Sequence, residues 1–431
     1  MRKKIELIAP GGSLEKIEYA YHFGADAVYA GLPNFSLRSR INEFNERRLV
    51  KAAKLARILG KKIYFTINVY AHERHLEVLK KHLKFIKKIK PDAVIVSDPG
   101  IINLVRNFSP KIKIHLSTQA NTTNSEAVKF WQKLGVSRII LAREVTLEEI
   151  RGIRKACPKI ELEYFVHGAM CMSYSGRCLL SRWMRNRSAN LGDCAQPCRW
   201  PYHVTRNTKH VTQENKEEII LSEDEHGTYF LNSKDLCLIE YLDNLAKAGV
   251  NSFKIEGRTK SAYYVACVAK SYKKVLDAIK FGKSQMEIKK VSALERKELE
   301  KLVNRGYSTG FLFGKDKWEN DFEKSHQESK WQFVGEIIGI EPTHIAAQSG
   351  FCSRSVAGGE NWAKVKIHNV LKKKERVEII MPDKIYGDEI LEIRNSNGEK
   401  VKSAHGGGKQ AYFVRLSRFY PEKSMLRKYQ G

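Results

Sequence analysis

Residues 93–142 read AVIVSDPGIINLVRNFSPKIKIHLSTQANTTNSEAVKFWQKLGVSRIILA. Three short apolar runs, Ala93–Ser97, Ile112–Ser117 and Arg138–Ala142, alternate with two stretches whose apolar residues follow helical spacing. Runs of this length, rich in Val, Ile and Leu, suit parallel strands buried on both faces. Gly135 stands where a helix C′ glycine belongs, just before the third run. The unit recurs in both directions. Glu6–Ala9, Ala27–Ala30 and Lys62–Asn68 precede it, and Glu161–Val166 and Ser252–Ile255 follow. Ser13 is placed to cap the first helix with Glu15 in its first turn, Gly60 to end another, and Thr146-Leu-Glu-Glu149 forms a capping box. Eight strands alternating with helices predict an α/β fold, a (β/α)8 TIM-like barrel over residues 1–314. A doubly wound open sheet is the other arrangement that the alternation allows.

In a barrel the chemistry gathers at the C-terminal strand ends. Those ends are polar here: Pro10-Gly-Gly-Ser13, Asn68, Ser97-Asp98, Ser117-Thr-Gln119-Ala-Asn121, Arg143-Glu144, His167 and Lys254-Ile-Glu-Gly-Arg258. Between the seventh and eighth strands lies a long insertion, 168–235, which carries Cys171-x6-Cys178-x15-Cys194-x3-Cys198. Thiolates favour zinc, copper(I) or iron–sulfur clusters. Structural zinc prefers tight pairs, and only Cys194-x3-Cys198 is tight. Iron–sulfur clusters accept wider spacing and ligands from distant segments, so Cys237 also counts as a candidate. Cys267, Cys157 and Cys352 read as inert buried cysteines. A nucleophilic cysteine paired with His167 is the hydrolase alternative. The chain has no His-Glu-x-x-His and no Gly-x-Ser-x-Gly to support it.

Lys and Arg number 76 against 48 Asp and Glu, a net charge of +28. Such an excess attracts polyanions. Residues 331–431 hold 17 basic and 11 acidic side chains, so no basic tail carries the charge. No apolar run is long enough for a membrane span, and the basic start, broken by Glu6, reads as a first strand rather than a signal peptide. The expected location is cytoplasmic, where thiols stay reduced and metal binding explains clustered cysteines better than disulfides do.

Residues 315–330 read as a linker. From Trp331 the pattern changes to short strands: Phe333–Ile338, Ala363–Ile367, Val377–Met381, Ile390–Ile393 and Ala411–Leu416. They predict a small C-terminal all-β barrel domain, 331–431. Lys372-Lys-Lys-Glu-Arg376 reads as its basic hairpin tip.

The segment Glu163-Tyr-Phe-Val-His-Gly-Ala-Met-Cys-Met-Ser-Tyr-Ser-Gly-Arg-Cys-Leu-Leu-Ser181 resembles the signature of the peptidase U32 family, the collagenase-like proteases. Ala9-Pro-Gly-Gly-Ser13, Gly24-Ala-Asp-Ala-Val-Tyr-Ala-Gly31, Ser97-Asp-Pro-Gly100, His115-Leu-Ser-Thr-Gln-Ala-Asn121, Asn232-Ser-Lys-Asp-Leu-Cys237 and Phe253-Lys-Ile-Glu-Gly-Arg258 are similar to it too. The branch most like this chain hydroxylates tRNA at wobble uridine U34, giving 5-hydroxyuridine. Other branches hydroxylate 23S rRNA or act in oxygen-independent ubiquinone synthesis. The resemblance implies a [4Fe-4S] cluster held by Cys171, Cys178, Cys194 and Cys237, with Cys198 the rival for the fourth place. It also implies prephenate as hydroxyl donor and the tRNA anticodon loop as partner; an electron donor is a further expected partner, and the lack of a long apolar run predicts no membrane association. Prephenate is a dicarboxylate, for which Arg143 and Arg258 are the chosen cations, with Lys254 and Arg177 nearby in sequence and Glu144 and Glu256 as competing ion-pair partners. His115 and His167 are the candidate proton carriers, and Gln119 and Asn121 the candidate hydrogen-bonding groups.

Overall fold

The computed structural model describes residues 5–37, 43–200, 232–314, 326, 327, 329–340, 361–408 and 410–431. The middle of the insertion, most of the expected linker and Cys352 lie outside the described residues. The chain divides into two compact units, Met1–Glu328 and Ser329–Gly431.

The first unit follows the strand–helix alternation. Its first half runs β1 (Glu6–Gly11), α1 (Leu14–His22), β2 (Ala27–Gly31), α2 (Glu46–Ile58), β3 (Lys62–Ile67), α3 (Leu76–Ile89), β4 (Ala93–Val96), α4 (Pro99–Phe108) and β5 (Lys113–Leu116). Its second half runs α5 (Ser125–Lys133), β6 (Arg138–Ile140), α6 (Leu147–Ala156), β7 (Glu161–Gly168), α7 (Leu180–Arg185), β8 (Asp235–Cys237), α8 (Leu242–Ala248), β9 (Ser252–Ile255), α9 (Ala262–Lys280), α10 (Gln285–Glu300) and β10 (Tyr307–Ser308). Strands β1 to β7 pair in sequence order, and β9 pairs in parallel with both β7 and β1. Eight parallel strands therefore close into a ring, which is the barrel and not the open sheet. Helix starts follow their caps. Ser13 Oγ accepts from the Lys16 N–H at 3.2 Å, Asp98 Oδ1 from Ile101 at 3.1 Å, and Thr146 and Glu149 complete their box.

Two short strands lie off the ring and were not foreseen. β8 runs antiparallel to the end of β7, with Cys237 opposite His167, and β10 pairs with β8.

Charge is buried inside the barrel. Arg138 Nη1 reaches Glu6 at 2.6 Å and Glu163 at 3.0 Å, and Nη2 reaches Glu161 at 2.7 Å. Lys62 pairs with Glu6 at 2.6 Å and Lys254 with Glu163 at 2.8 Å. The guanidinium and the ammonium of Lys62 hold the Glu6 carboxyl down at about 2 against the opposing pull of burial. Buried charges persist only where each has partners, and this lattice ties β1, β3, β6, β7 and β9 together.

The second unit is all-β. It comprises β11 (Trp331–Ile340), β12 (Asn361–Ile367), β13 (Leu371–Lys372), β14 (Arg376–Ile380), β15 (Ile385–Glu389), β16 (Glu392–Arg394), β17 (Lys400–Val401), β18 (Ser403–Ala404), β19 (Tyr412–Leu416) and β20 (Met425–Tyr429). Eight strands form one antiparallel half-barrel in the order β15-β14-β20-β11-β12-β19-β16-β17, around a core that includes Val334, Ile337, Val365, Ile379, Val414 and Leu426. The basic run Lys372–Arg376 is the turn between β13 and β14, with Lys374 at φ 65°.

Candidate active site at the barrel mouth

A cavity of about 150 Å³ opens at the C-terminal strand ends. Tyr29 of β2, Thr66 of β3, Ile95 of β4, Ile140 of β6, Phe165 of β7 and Lys254 of β9 form its strand-borne wall. The segment 171–198 also lines it and contributes Cys171, Cys178, Cys194 and Cys198. Arg143, Glu256 and Arg258 add charged groups to the lining.

The cysteine segment is fixed to the barrel by specific bonds. Glu144 Oε1 accepts the Ser175 N–H at 2.7 Å, and its other oxygen lies 3.2 Å from Ser175 Oγ. Arg177 Nε donates to the Gln119 carbonyl at 2.9 Å, while its guanidinium stacks 4.8 Å from the Tyr70 ring centroid and bonds the Tyr70 hydroxyl. Ser175 and Gly176 turn the chain at positive φ, 49° and 75°. A Cβ on Gly176 would stand 2.9 Å from Gln119 Nε2 and 3.8 Å from Cys171 Sγ, so glycine lets the thiol loop lie against β5's end. Asn190 Oδ1 accepts the Cys178 N–H at 3.2 Å. The Gln196 N–H points at Cys194 Sγ at 3.3 Å, a donor suited to a thiolate. Burial pushes the Cys198 thiol up, Arg199 opposes it, and the neighbouring Cys194 and Cys178 add to the rise. None of these four cysteines is in a disulfide. Among the described residues no three Cys, His, Asp or Glu side chains already converge as a coordination shell. Four soft donors lining one cavity, one of them with a backbone N–H on its sulfur, are nevertheless of the type a thiolate-bound metal cluster takes.

Three cations, Arg143, Lys254 and Arg258, line the cavity. Arg143 Nη2 is held by Glu256 at 2.7 Å and stacks 4.0 Å from the Phe165 centroid. Arg258 is 9% exposed. It bonds Ser36 Oγ, with Thr66 Oγ1 at 3.5 Å, and packs where a side chain at Gly31 would clash. Both arginines and Lys254 reach the cavity. Gln119 also lines it, and its Oε1 has no partner among the described residues.

The structure does not bring His115, His167 or Cys237 to this cavity. His115 lies inside the barrel, 4.7 Å from the Tyr64 ring, where burial, with Arg138 and Lys254, holds it neutral. His167 lies among Tyr264, Tyr272 and Tyr307, with Nδ1 3.3 Å from the Tyr272 hydroxyl. Burial, with Lys260 and Arg296, pushes its imidazole down to about 3. Cys237 belongs to the same buried nest, 3.7 Å from the Tyr272 hydroxyl. Tyr29, Thr66 and Phe165 are lining residues that the sequence reading missed. Their place on inward-facing strand positions was the available signal.

The peptidase family U32 model matches residues 12–321. The "tRNA hydroxylation protein P" of Haemophilus influenzae is 40% identical, over 96% of this chain and 93% of that protein. The "tRNA hydroxylation protein P1" of Bacillus subtilis is 34% identical, over 99% and 95%. A "Collagenase" of Porphyromonas gingivalis is 33% identical, over 72% and 73%.

Proposed function

This chain belongs to peptidase family U32, and from that premise we propose that it is a tRNA-modifying enzyme that hydroxylates wobble uridine U34 to 5-hydroxyuridine, with a [4Fe-4S] cluster and with prephenate as hydroxyl donor. The observation that carries this reading is a single cavity lined both by four thiol-bearing residues and by Arg143, Lys254 and Arg258. The relatives named for tRNA hydroxylation align along almost the whole chain, both units included.

Cys171, Cys178, Cys194 and Cys198 hold the cluster in this proposal. Cys198 takes the fourth place because it shares the cavity, whereas Cys237 is enclosed with Tyr272 and His167. When bound, the cluster supplies one-electron or Lewis-acid chemistry at the mouth. Arg143 and Arg258 bind the two carboxylates of prephenate through forked hydrogen bonds, each guanidinium already oriented by Glu256 or by Ser36 and Thr66. Phe165 and Tyr29 exclude water beside them. The anticodon loop suits a mouth site because an unpaired base swings out of its stack at small cost. The excess of positive charge supports phosphate contacts along the tRNA. We place this work in the cytoplasm, with a separate electron donor. No helix among the described residues is long and apolar enough to cross a membrane.

A cysteine protease needs a histidine beside its nucleophile. Among the described residues no histidine lines this cavity, and His167 faces a tyrosine nest. The test is the nucleoside content of tRNA from a strain lacking the gene. Loss of 5-hydroxyuridine, restored by the wild-type chain, is expected. Unchanged levels would overturn the proposal.

A further inference from the structure

Among the described residues Lys254 is the one lysine in the cavity wall, and its setting differs from that of a solvent cation. It is 3% exposed, and its Nζ lies 4.5 Å from the Tyr29 ring centroid and 5.4 Å from that of Phe165. Its ion-pair partner, Glu163, is a carboxylate that Arg138 also neutralises, at 3.0 Å. Glu163 would therefore keep a cation if Lys254 lost its charge. Tyr29 donates its hydroxyl to the Ile255 carbonyl at 3.0 Å, which fixes the end of β9 and hence the lysine's direction. Burial pulls the ammonium toward the neutral amine, and Glu163 opposes this only in part. A desolvated lysine in an apolar cavity wall is the usual setting of an imine-forming amine.

We infer that Lys254 is a catalytic residue that captures an α-oxo acid: its Nζ forms an imine with the substrate's keto carbon while Arg143 and Arg258 receive the carboxylate. The step balances without an outside oxidant or reductant. Lys254 passes a proton to Glu163, 2.8 Å away, and the free amine adds to the carbonyl carbon to give a carbinolamine. The carbinolamine nitrogen gives up its second hydrogen, the hydroxyl departs as water, and the proton returned by Glu163 leaves a cationic imine. Ammonium plus ketone has become iminium plus water. The inference rests on the mouth being the substrate site and deepens that reading, since prephenate carries an α-oxo acid arm. It requires neither tRNA nor electron transfer, so the two can fail separately.

The test is reductive trapping. Full-length protein is incubated with pyruvate or phenylpyruvate and sodium cyanoborohydride, then digested and mapped by mass spectrometry. One adduct per chain on Lys254 is expected. The neutral ketone acetone should label that position at least about tenfold less, because it has no carboxylate for the arginines. Lys254→Arg and the nearly isosteric Lys254→Met should both lose the adduct, with folding checked by circular dichroism. Arg143→Gln should weaken pyruvate labelling and leave acetone labelling unchanged. No adduct on Lys254 in the wild-type chain, or equal labelling by acetone and pyruvate, would overturn the inference. Trapping on Lys254 in a protein whose loss leaves 5-hydroxyuridine intact would uphold it and overturn the tRNA reading alone.

Discussion

A β-bulge between Phe165 and His167 decides which side chains of β7 face the chemistry. Strict alternation sends Glu163, Phe165 and His167 to one face. Glu163 and Phe165 do point inward, to Lys254 and to the cavity. The bulge then turns His167 outward against Tyr272 of α9, and Cys237, its cross-strand partner, stays with it. Of the residues expected at the mouth, the two arginines therefore line the cavity and His167 and Cys237 do not, a division the sequence could not show because a one-residue slip in the ladder leaves no mark on hydrophobic periodicity. Serine at Cys171, Cys178, Cys194 or Cys198 should each abolish bound iron and sulfide after anaerobic purification, whereas Cys237→Ser should retain them; iron lost from Cys237→Ser but kept by Cys198→Ser would reverse the assignment. The buried histidines also set a pH dependence. The folded His167 imidazole titrates at about 3, far below its unfolded value of 6.5. Below pH 6.5 the unfolded chain therefore binds a proton that the folded chain refuses, and stability falls as the pH drops toward 3. The slope is about 1.4 kcal/mol per pH unit, with His115 acting in the same direction. Urea titrations at pH 7 and pH 5 should show His167→Gln losing about 2 kcal/mol less than the wild type over that interval.

At the scale of elements, the ring strands were readable because each is buried on both faces, so composition alone marks them. β8 and β10 were not, since three residues and two residues carry no period. Those strands are made by their surroundings. β8 completes hydrogen bonds at the end of β7, just where the chain leaves for the cysteine segment. Gly168 is the junction. Its φ is 110°, and a Cβ there would lie 2.6 Å from the Glu256 carbonyl oxygen and 2.8 Å from the Glu256 Cβ. Both contacts are with β9's end, and Glu256 orients Arg143. Gly168→Ala should therefore cost about 2 kcal/mol or more in chemical denaturation, from positive-φ strain together with the clash. It should also weaken dicarboxylate binding measured by calorimetry. Gly282, also at positive φ but with open space around it, serves as the control for strain without the clash.

At the scale of the whole molecule the question is what a net charge of +28 does. Much of it is solvated lysine on helix faces, and a lysine-rich composition alone would produce that. The lattice around Arg138 sets three cations, of which Lys62 is partly exposed, against Glu6, Glu161 and Glu163, so it adds no net charge. The excess must then be presented outward, and it is shared by both units rather than held in a tail. A polyanion held by such a surface releases counterions in proportion to the phosphates it loses to lysine and arginine. Log affinity for tRNA should fall linearly with log salt concentration. About six contacts would cost on the order of a thousandfold between 50 and 200 mM salt. Fluorescence anisotropy with labelled tRNA measures this directly. The cysteine-to-serine variants should keep the same slope, because the substitution removes no lysine or arginine that could neutralise a phosphate. A flat salt profile would mean that the positive charge is compositional and that tRNA is recognised at the mouth alone.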